Sequence, residues 1–120
     1  MTVVPLHQHG EDVTLGEAVG RFLARYRHSP ATRREYARTL LVLEAAAGSG
    51  MLSLSDLTPD VFASAMRRWE HESATVWNGH LACLRSFAAF ALRQRWVDSD
   101  PSRHLRRRAQ GPAGGAALPA

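Results

Sequence analysis

The stretch that decides the fold is residues 73–95, SATVWNGHLACLRSFAAFALRQR. Ser73 is a good helix N-cap, because its hydroxyl can accept a hydrogen bond from a backbone N–H group of the first turn. Large apolar side chains then recur every three or four residues, which is the spacing of one helix face. This stripe, which we expect to face the core, is Trp77, Leu81, Leu84, Ala88 and Leu92, widened on one flank by Val76, Phe87 and Phe90. The pattern predicts an α-helix from Ser73 to about Arg95.

Three more helix starts lie upstream. Thr14 and Glu17 have the spacing of a capping box, in which each side chain bonds a backbone N–H group of the first turn. Ser29-Pro30 and Thr58-Pro59 each place a capping residue before a proline, which is tolerated at the first helical position. Helical spacing follows each start, in Leu15, Val19, Phe22, Leu23 and Tyr26, then Tyr36, Leu40, Leu43 and Ala47, then Phe62, Met66 and Trp69.

These signals predict an all-α fold. Gly48 is expected to end the second helix, and residues 100–105 repeat the pattern of a cap followed by proline. No stretch alternates as a strand would. We therefore expect a compact orthogonal bundle of four main helices plus a short fifth.

Composition divides the chain into one domain and two tails. At 120 residues it is long enough for one domain only. Residues 1–12 lack an apolar period and are expected to form a flexible arm. Residues 13–108 carry the helical pattern. Residues 109–120 are rich in Gly, Ala and Pro, which is typical of a linker.

Charge and hydropathy narrow the function classes. The net charge is +4, and all 15 basic residues are Arg. A basic domain favours polyanionic partners, and Arg can bind phosphate through two hydrogen bonds. No apolar run is long enough to cross a membrane, and the N-terminus does not resemble a secretory signal. The single cysteine, Cys83, cannot form an internal disulfide, which suits a reducing cytoplasm.

The face of the fourth helix opposite its apolar stripe mixes small residues with hydrogen-bond donors. It carries Thr75, Asn78, Gly79, Ala82, Arg85, Ser86, Ala89 and Arg93. Small residues allow a partner to approach the helix backbone, and Asn and Arg are good readers of base edges and phosphates. The same composition is also typical of a solvated surface face, since every amphipathic helix has one.

Two other basic groups are candidates for phosphate contact. The second helix begins with Ser29, Thr32, Arg33, Arg34 and Arg38, where free backbone N–H groups and the positive end of the helix dipole also lie. The alternative there is capping with ordinary surface charge. The chain later carries Arg103, Arg106, Arg107 and Arg108, which could follow a phosphate backbone or form part of a solvated linker.

Taken in order, these patterns resemble the core-binding domain of tyrosine recombinases, the phage integrases. The fourth helix has a Thr near its start, then Leu81, then Leu84-Arg85-Ser86-Phe87, with Asp100-Pro101 closing into a short turn. Further upstream, the resemblance extends to the order Ser29, Thr32, Tyr36, Leu40 and to Leu57-Thr58-Pro59. It covers roughly residues 13–108. No single motif is specific, but their order and spacing together are.

The resemblance implies a SAM-like bundle that clamps one face of duplex DNA, while a separate C-terminal domain clamps the other. The second and fourth helices would lie against the major groove. We therefore expect contacts to double-stranded DNA, and to other recombinase protomers bound on it, without a small-molecule substrate. The predicted DNA-binding residues are Ser29, Thr32, Arg33, Arg34, Thr75, Asn78, Arg85, Arg93 and Arg107. Gly79 and Asp100 depart from the polar or basic residue and the Asn that the family often has there.

The resemblance also implies that the chemistry lies elsewhere. The family uses a Tyr nucleophile, two Arg, a Lys and a His-x-x-Arg group in its C-terminal domain. This sequence has no Lys, and Tyr26 and Tyr36 fall in apolar stripes. We expect a non-catalytic piece of a recombinase, with no cofactor. We also expect no metal site, because only His7 and His9 stand close together, in the predicted arm.

A second hypothesis stays open, that of a helical module for protein interaction or self-association without DNA binding. Exposed apolar residues on the third helix or near Trp96 would favour it.

Overall fold

The computed structural model describes residues 12–110, which form a bundle of four α-helices. They are α1 (Leu15–Ala24), α2 (Pro30–Ala47), α3 (Pro59–Met66) and α4 (Ala74–Arg93). Short 3-10 helices, Leu54–Asp56 and Arg67–Trp69, precede and follow α3. Apart from an isolated bridge between Thr14 and Ser53, these residues contain no β-structure. The all-α prediction is confirmed.

Local capping explains where three of the helices begin or end. Thr14 and Glu17 form the predicted capping box at α1. The Ser73 hydroxyl accepts a hydrogen bond from the Val76 N–H group at α4. Gly48 ends α2 at φ 91°, in the left-handed region that favours glycine. Sequence and structure agree here because these contacts involve neighbours in the chain.

The core is built around Phe22, which is fully buried. Its ring centroid lies 5.4–6.0 Å from those of Tyr26, Tyr36, Phe87 and Phe90, so α1, α2 and α4 meet at one aromatic cluster. Most of the predicted stripe residues are buried or pack against this core. Leu92 and Val76 are exceptions, because 40% and 38% of their surfaces are exposed.

The connection between α2 and α3 is tied to the start of α1. The backbone N–H group of Leu15 donates to the carbonyl of Leu52, and that of Gly16 donates to the carbonyl of Gly50. Both hydrogen bonds are 2.8 Å long. A Cβ on Gly16 would lie 3.2 Å from the Gly50 carbonyl oxygen, so this close approach favours glycine. The Asp12 carboxylate joins the same region by accepting a hydrogen bond from Ser53.

The predicted fifth helix is wrong in its geometry, because residues 100–105 form turns. Arg103 and Leu105 donate backbone hydrogen bonds to residues three positions earlier, and residues 106–110, the last that the structure describes, contain no helix. The Asp100 carboxylate accepts from both the N–H group and the hydroxyl of Ser102. The acidic residue therefore stabilises a turn. The predicted arm before Asp12 and the predicted linker after Gln110 lie outside the described residues.

Candidate nucleic-acid interface

The start of α2 presents two exposed guanidinium groups, those of Arg33 and Arg34. They line a cavity of about 240 Å³ together with Arg27, Pro30 and Ala37. Pro30 occupies the first turn, where its missing N–H group costs nothing. This arrangement places positive charge around a small open hollow at the positive end of the helix dipole.

Ser29 occupies the predicted N-cap position of α2, but its side chain makes no capping hydrogen bond. Its backbone φ and ψ of −133° and 72° lie away from the extended geometry of the other caps, Thr14 and Ser73. The predicted position of the N-cap is therefore correct, but the predicted side-chain hydrogen bond of Ser29 is absent. The exposed hydroxyl of Ser29 and the half-buried Thr32 remain near the Arg pair.

Arg38 differs from Arg33 and Arg34, although all three are on α2. Its guanidinium group donates to the Glu35 carboxylate at 2.9 Å, and both side chains are mostly exposed. Such a surface pair contributes little stability, but it neutralises part of the local positive charge. The unpaired charge at the start of α2 is therefore concentrated on Arg33 and Arg34.

The returning chain covers part of the predicted bare face of α4, whereas Gly79 and Ala82 on that face stay exposed. Residues 105–110, which we call the strap, lie along α4 and form hydrogen bonds with its polar side chains. Arg85 donates to the Leu105 carbonyl at 2.6 Å, and the Thr75 hydroxyl donates to the Gln110 side chain at 2.9 Å. The expectation that this face is open is wrong at Asn78, which is buried beneath the returning chain. Thr75 stays exposed and Arg85 half-buried, although each donates one hydrogen bond to that chain.

Asn78 makes the most complete contact with the strap. Its amide NH₂ group donates to the Arg108 carbonyl, and its carbonyl accepts from the Arg108 N–H group, each at 2.8 Å. Only 4% of Asn78 is exposed. A buried amide is stabilised when its polar groups are hydrogen-bonded, and here the backbone of Arg108 pairs with the carbonyl and with one amide N–H group.

Trp77 and Arg108 belong to this contact, although the sequence analysis did not link them. The Trp77 indole N–H group donates to the Arg106 carbonyl at 2.9 Å. The Arg108 guanidinium carbon lies 3.7 Å from the centroid of a Trp77 ring, and this side chain also donates to the Glu70 carbonyl. Trp77 was assigned to the apolar stripe because periodicity says nothing about where its N–H group points.

The remaining predicted residues are exposed. Arg93 lies in the last turn of α4, where a cation interacts favourably with the helix dipole. Arg106 and Arg107 project from the strap, and neither side chain forms a hydrogen bond or an ion pair within residues 12–110. Within residues 12–110, no hydrogen bond or ion pair links the side chain of Arg33 or Arg34 to α4 or to the strap.

A second hollow, of about 410 Å³, lies between α2 and the end of α3. Its lining is Arg38, Leu41, Val42, Ala45, Arg68, Trp69 and His80. His80 stacks on Trp69 and shares a hydrogen bond of 2.8 Å with the Thr39 hydroxyl. Burial lowers the pKa of His80, and the more distant Glu35 and Glu72 oppose this only in part. His80 is therefore packed between α2 and the 3-10 helix that follows α3.

Two other kinds of site are absent from the described residues. No helix in this part of the chain is long and apolar enough to span a membrane. Nor do these residues contain a group of three or more His, Cys, Asp or Glu side chains that could hold a metal ion.

Comparison with known proteins identifies the fold. The model of the phage integrase N-terminal SAM-like domain matches residues 20–95, more than half of the chain. The match begins within α1 and extends just past the end of α4, so it covers the start of α2 and most of the strap's docking face. Neither the curated proteins nor the solved structures gave a match. The chain therefore belongs to the family of phage integrase N-terminal SAM-like domains.

Proposed function

We propose that this domain binds duplex DNA as one half of a recombinase clamp, with a separate domain on the other face of the duplex. The observation that carries the proposal is the family match over residues 20–95. Domains of this family are parts of tyrosine recombinases, which act on DNA. The net charge of +4 favours the same partner, because neutralising phosphates releases counterions.

The start of α2 supplies the main phosphate contact in this proposal. Arg33 and Arg34 are exposed, unlike Arg38 they have no acidic partner within residues 12–110, and they surround an open hollow. Ser29 and Thr32 add hydroxyl groups beside them. Guanidinium groups fit phosphate oxygens through paired hydrogen bonds. Arg93 and Arg107 extend the contact, whereas Thr75, Asn78 and Arg85 act through the strap.

Strand breakage and rejoining belong, in this proposal, to the parent recombinase's other domain. Tyr26 and Tyr36 pack against Phe22 with ring centroids 5.4 and 6.0 Å away, so both rings belong to the aromatic cluster of the core. The domain then contributes affinity and position on the DNA, where it meets other recombinase protomers. A free thiol and a DNA target both suit the cytoplasm.

Titration of a fluorescent duplex at several salt concentrations tests the proposal. We expect affinity to fall steeply with salt, with a log–log slope of about 0.9 per phosphate contact. Arg33→Ala and Arg34→Ala should each weaken binding to duplexes of any base sequence. Each should also reduce the log–log slope by the amount that one phosphate contact contributes.

Arg38→Ala is the matched control, since it removes the same charge from the same helix at a position already paired with Glu35. It should weaken binding less than either neighbour. No salt-sensitive binding at low ionic strength, or equal losses for all three variants, would contradict the proposal.

One observation favours the alternative of self-association. Leu41 is 64% exposed and lies beside the 410 Å³ hollow on α2, although no large apolar residue of α3 is exposed and Trp96 is buried. Sedimentation of the wild type and of Leu41→Ser separates the two functions. An oligomer that Leu41→Ser disperses, combined with no effect of DNA, would favour self-association.

A further inference from the structure

The strap is held on α4 at three places along its backbone. Arg85 bonds the carbonyl of Leu105, Trp77 bonds that of Arg106, and Asn78 bonds both the N–H and the carbonyl group of Arg108. These contacts join residues 20–30 positions apart in the sequence. They fix the path of the backbone for as long as they persist, because several bonds must break together to release it.

Side chains anchor the same segment from both ends. Leu105 is 9% exposed and belongs to the core. At the other end, Arg108 stacks on Trp77 and donates to the Glu70 carbonyl, and Gln110 accepts from Thr75. The strap is therefore an ordered part of the domain through Gln110.

This geometry changes what Asn78 can do. Its carbonyl and one of its two amide N–H groups are bonded to Arg108, and because only 4% of Asn78 is exposed, the side chain has little access to a base edge. By contrast, the side chains of Arg106 and Arg107 are exposed on either side of the bonded carbonyl of Arg106. The strap that Asn78 holds thus adds two exposed positive charges to that of Arg93 at the end of α4.

We propose that Asn78 is a positioning residue that holds the strap on α4, so that Arg106 and Arg107 contact DNA phosphates. This inference rests on the proposed function and adds to it how the first half of α4 takes part. Trp77 supports the same role through its indole N–H group. Affinity for DNA then depends on Asn78 without any contact between Asn78 and the DNA.

The first test measures the strap in the free protein. Hydrogen exchange followed by NMR should show the Arg108 amide exchanging more slowly in the wild type than in Asn78→Ala, while amides of the core of α4 stay protected in both. The Trp77 indole N–H signal should shift in Asn78→Ala. If the Arg108 amide of the wild type exchanges as fast as in an unfolded chain, the strap is not held on α4 and this inference is wrong. DNA binding through α2 would be unaffected by that result.

The second test uses salt dependence to separate positioning from base contact. Arg106→Ala/Arg107→Ala should lower the log–log salt slope by about 0.9 per lost phosphate contact. Asn78→Ala should lower the slope in the same direction although it removes no charge, and should cause little further loss in the Arg106→Ala/Arg107→Ala background. An unchanged slope, or losses that add, would mean that Asn78 does not act through Arg106 and Arg107, and would overturn the proposal.

A second variant covers the case in which Asn78→Ala does not fold. Trp77→Phe keeps the aromatic body but removes the donor to the Arg106 carbonyl, and it should also lower both the slope and the protection of Arg108. If the wild type binds no duplex at all, the proposed function fails, and the role of Arg106 and Arg107 fails with it. The exchange experiment distinguishes that result from loss of the strap.

Discussion

The imidazole of His80 lies flat against the indole of Trp69, with ring centroids 3.8 Å apart and an interplanar angle of 10°. This stack joins α4 to the 3-10 helix that follows α3. At its edge the imidazole also makes a polar contact, because the Thr39 hydroxyl and His80 Nδ1 share a hydrogen bond of 2.8 Å. His80 therefore connects α2, α4 and the 3-10 helix that follows α3.

The stability of the domain should fall with acidification through His80. Burial lowers the pKa of His80 below its ordinary value of 6.5. Below pH 6.5 the unfolded chain binds this proton more readily than the folded one, so the free energy of unfolding decreases until the folded pKa is passed. Above pH 6.5 the contribution is fully present. Urea unfolding over a series of pH values measures it.

His80→Phe is the control for this pH dependence, because a phenyl ring can still stack on Trp69 but cannot titrate. The decrease in unfolding free energy just below pH 6.5 should be smaller in this variant than in the wild type. Parallel curves for the two proteins would show that His80 is not the group responsible.

Leu84 and Leu92 should respond very differently to truncation, although both fit the apolar stripe of α4. Leu84 is fully buried, so Leu84→Ala should cost about 2–5 kcal/mol of unfolding free energy through lost burial and a cavity. Leu92 is 40% exposed, and Leu92→Ala should cost about 1 kcal/mol or less. Denaturant unfolding of both variants checks this, and equal losses would contradict the placement of Leu92.

The helix caps predict a second pair of unequal effects. Thr14→Ala removes both the side-chain cap of α1 and the partner of Glu17, and should cost about 1 kcal/mol. Ser29→Ala removes no capping hydrogen bond at α2, so the free energy of unfolding should change by less than about 0.5 kcal/mol. Thermal unfolding of both variants measures these changes. A loss at Ser29 as large as that at Thr14 would indicate a cap that this geometry lacks.

Cys83 should be unreactive in the folded protein. It is 1% exposed, and burial raises the pKa of its thiol to about 12. Because the thiolate is the reactive form, labelling with a thiol reagent at neutral pH should be slow in buffer and fast in denaturing urea. Rapid labelling of the native protein would show that α4 separates from α2 far more often than this packing allows.

The local sequence was sufficient for the helices and for much of the core. Thr14, Gly48 and Ser73 act within one turn of their own position, so the residues around them predicted where α1 and α4 begin and where α2 ends. Periodicity likewise placed Leu81, Leu84 and Phe87 in the interior. The order of these patterns also carried the family resemblance, which the match over residues 20–95 confirms.

Only the tertiary structure decided which face of α4 is open. A helical pattern shows that Asn78 and Trp77 lie on particular sides of the helix, but a segment 30 residues later determines whether their polar groups meet water or backbone. The exposure of Leu92 depends in the same way on which elements reach the last turn of α4. Caps and stripes arise from neighbours in the chain, whereas the strap arises from contacts that form when the whole bundle folds.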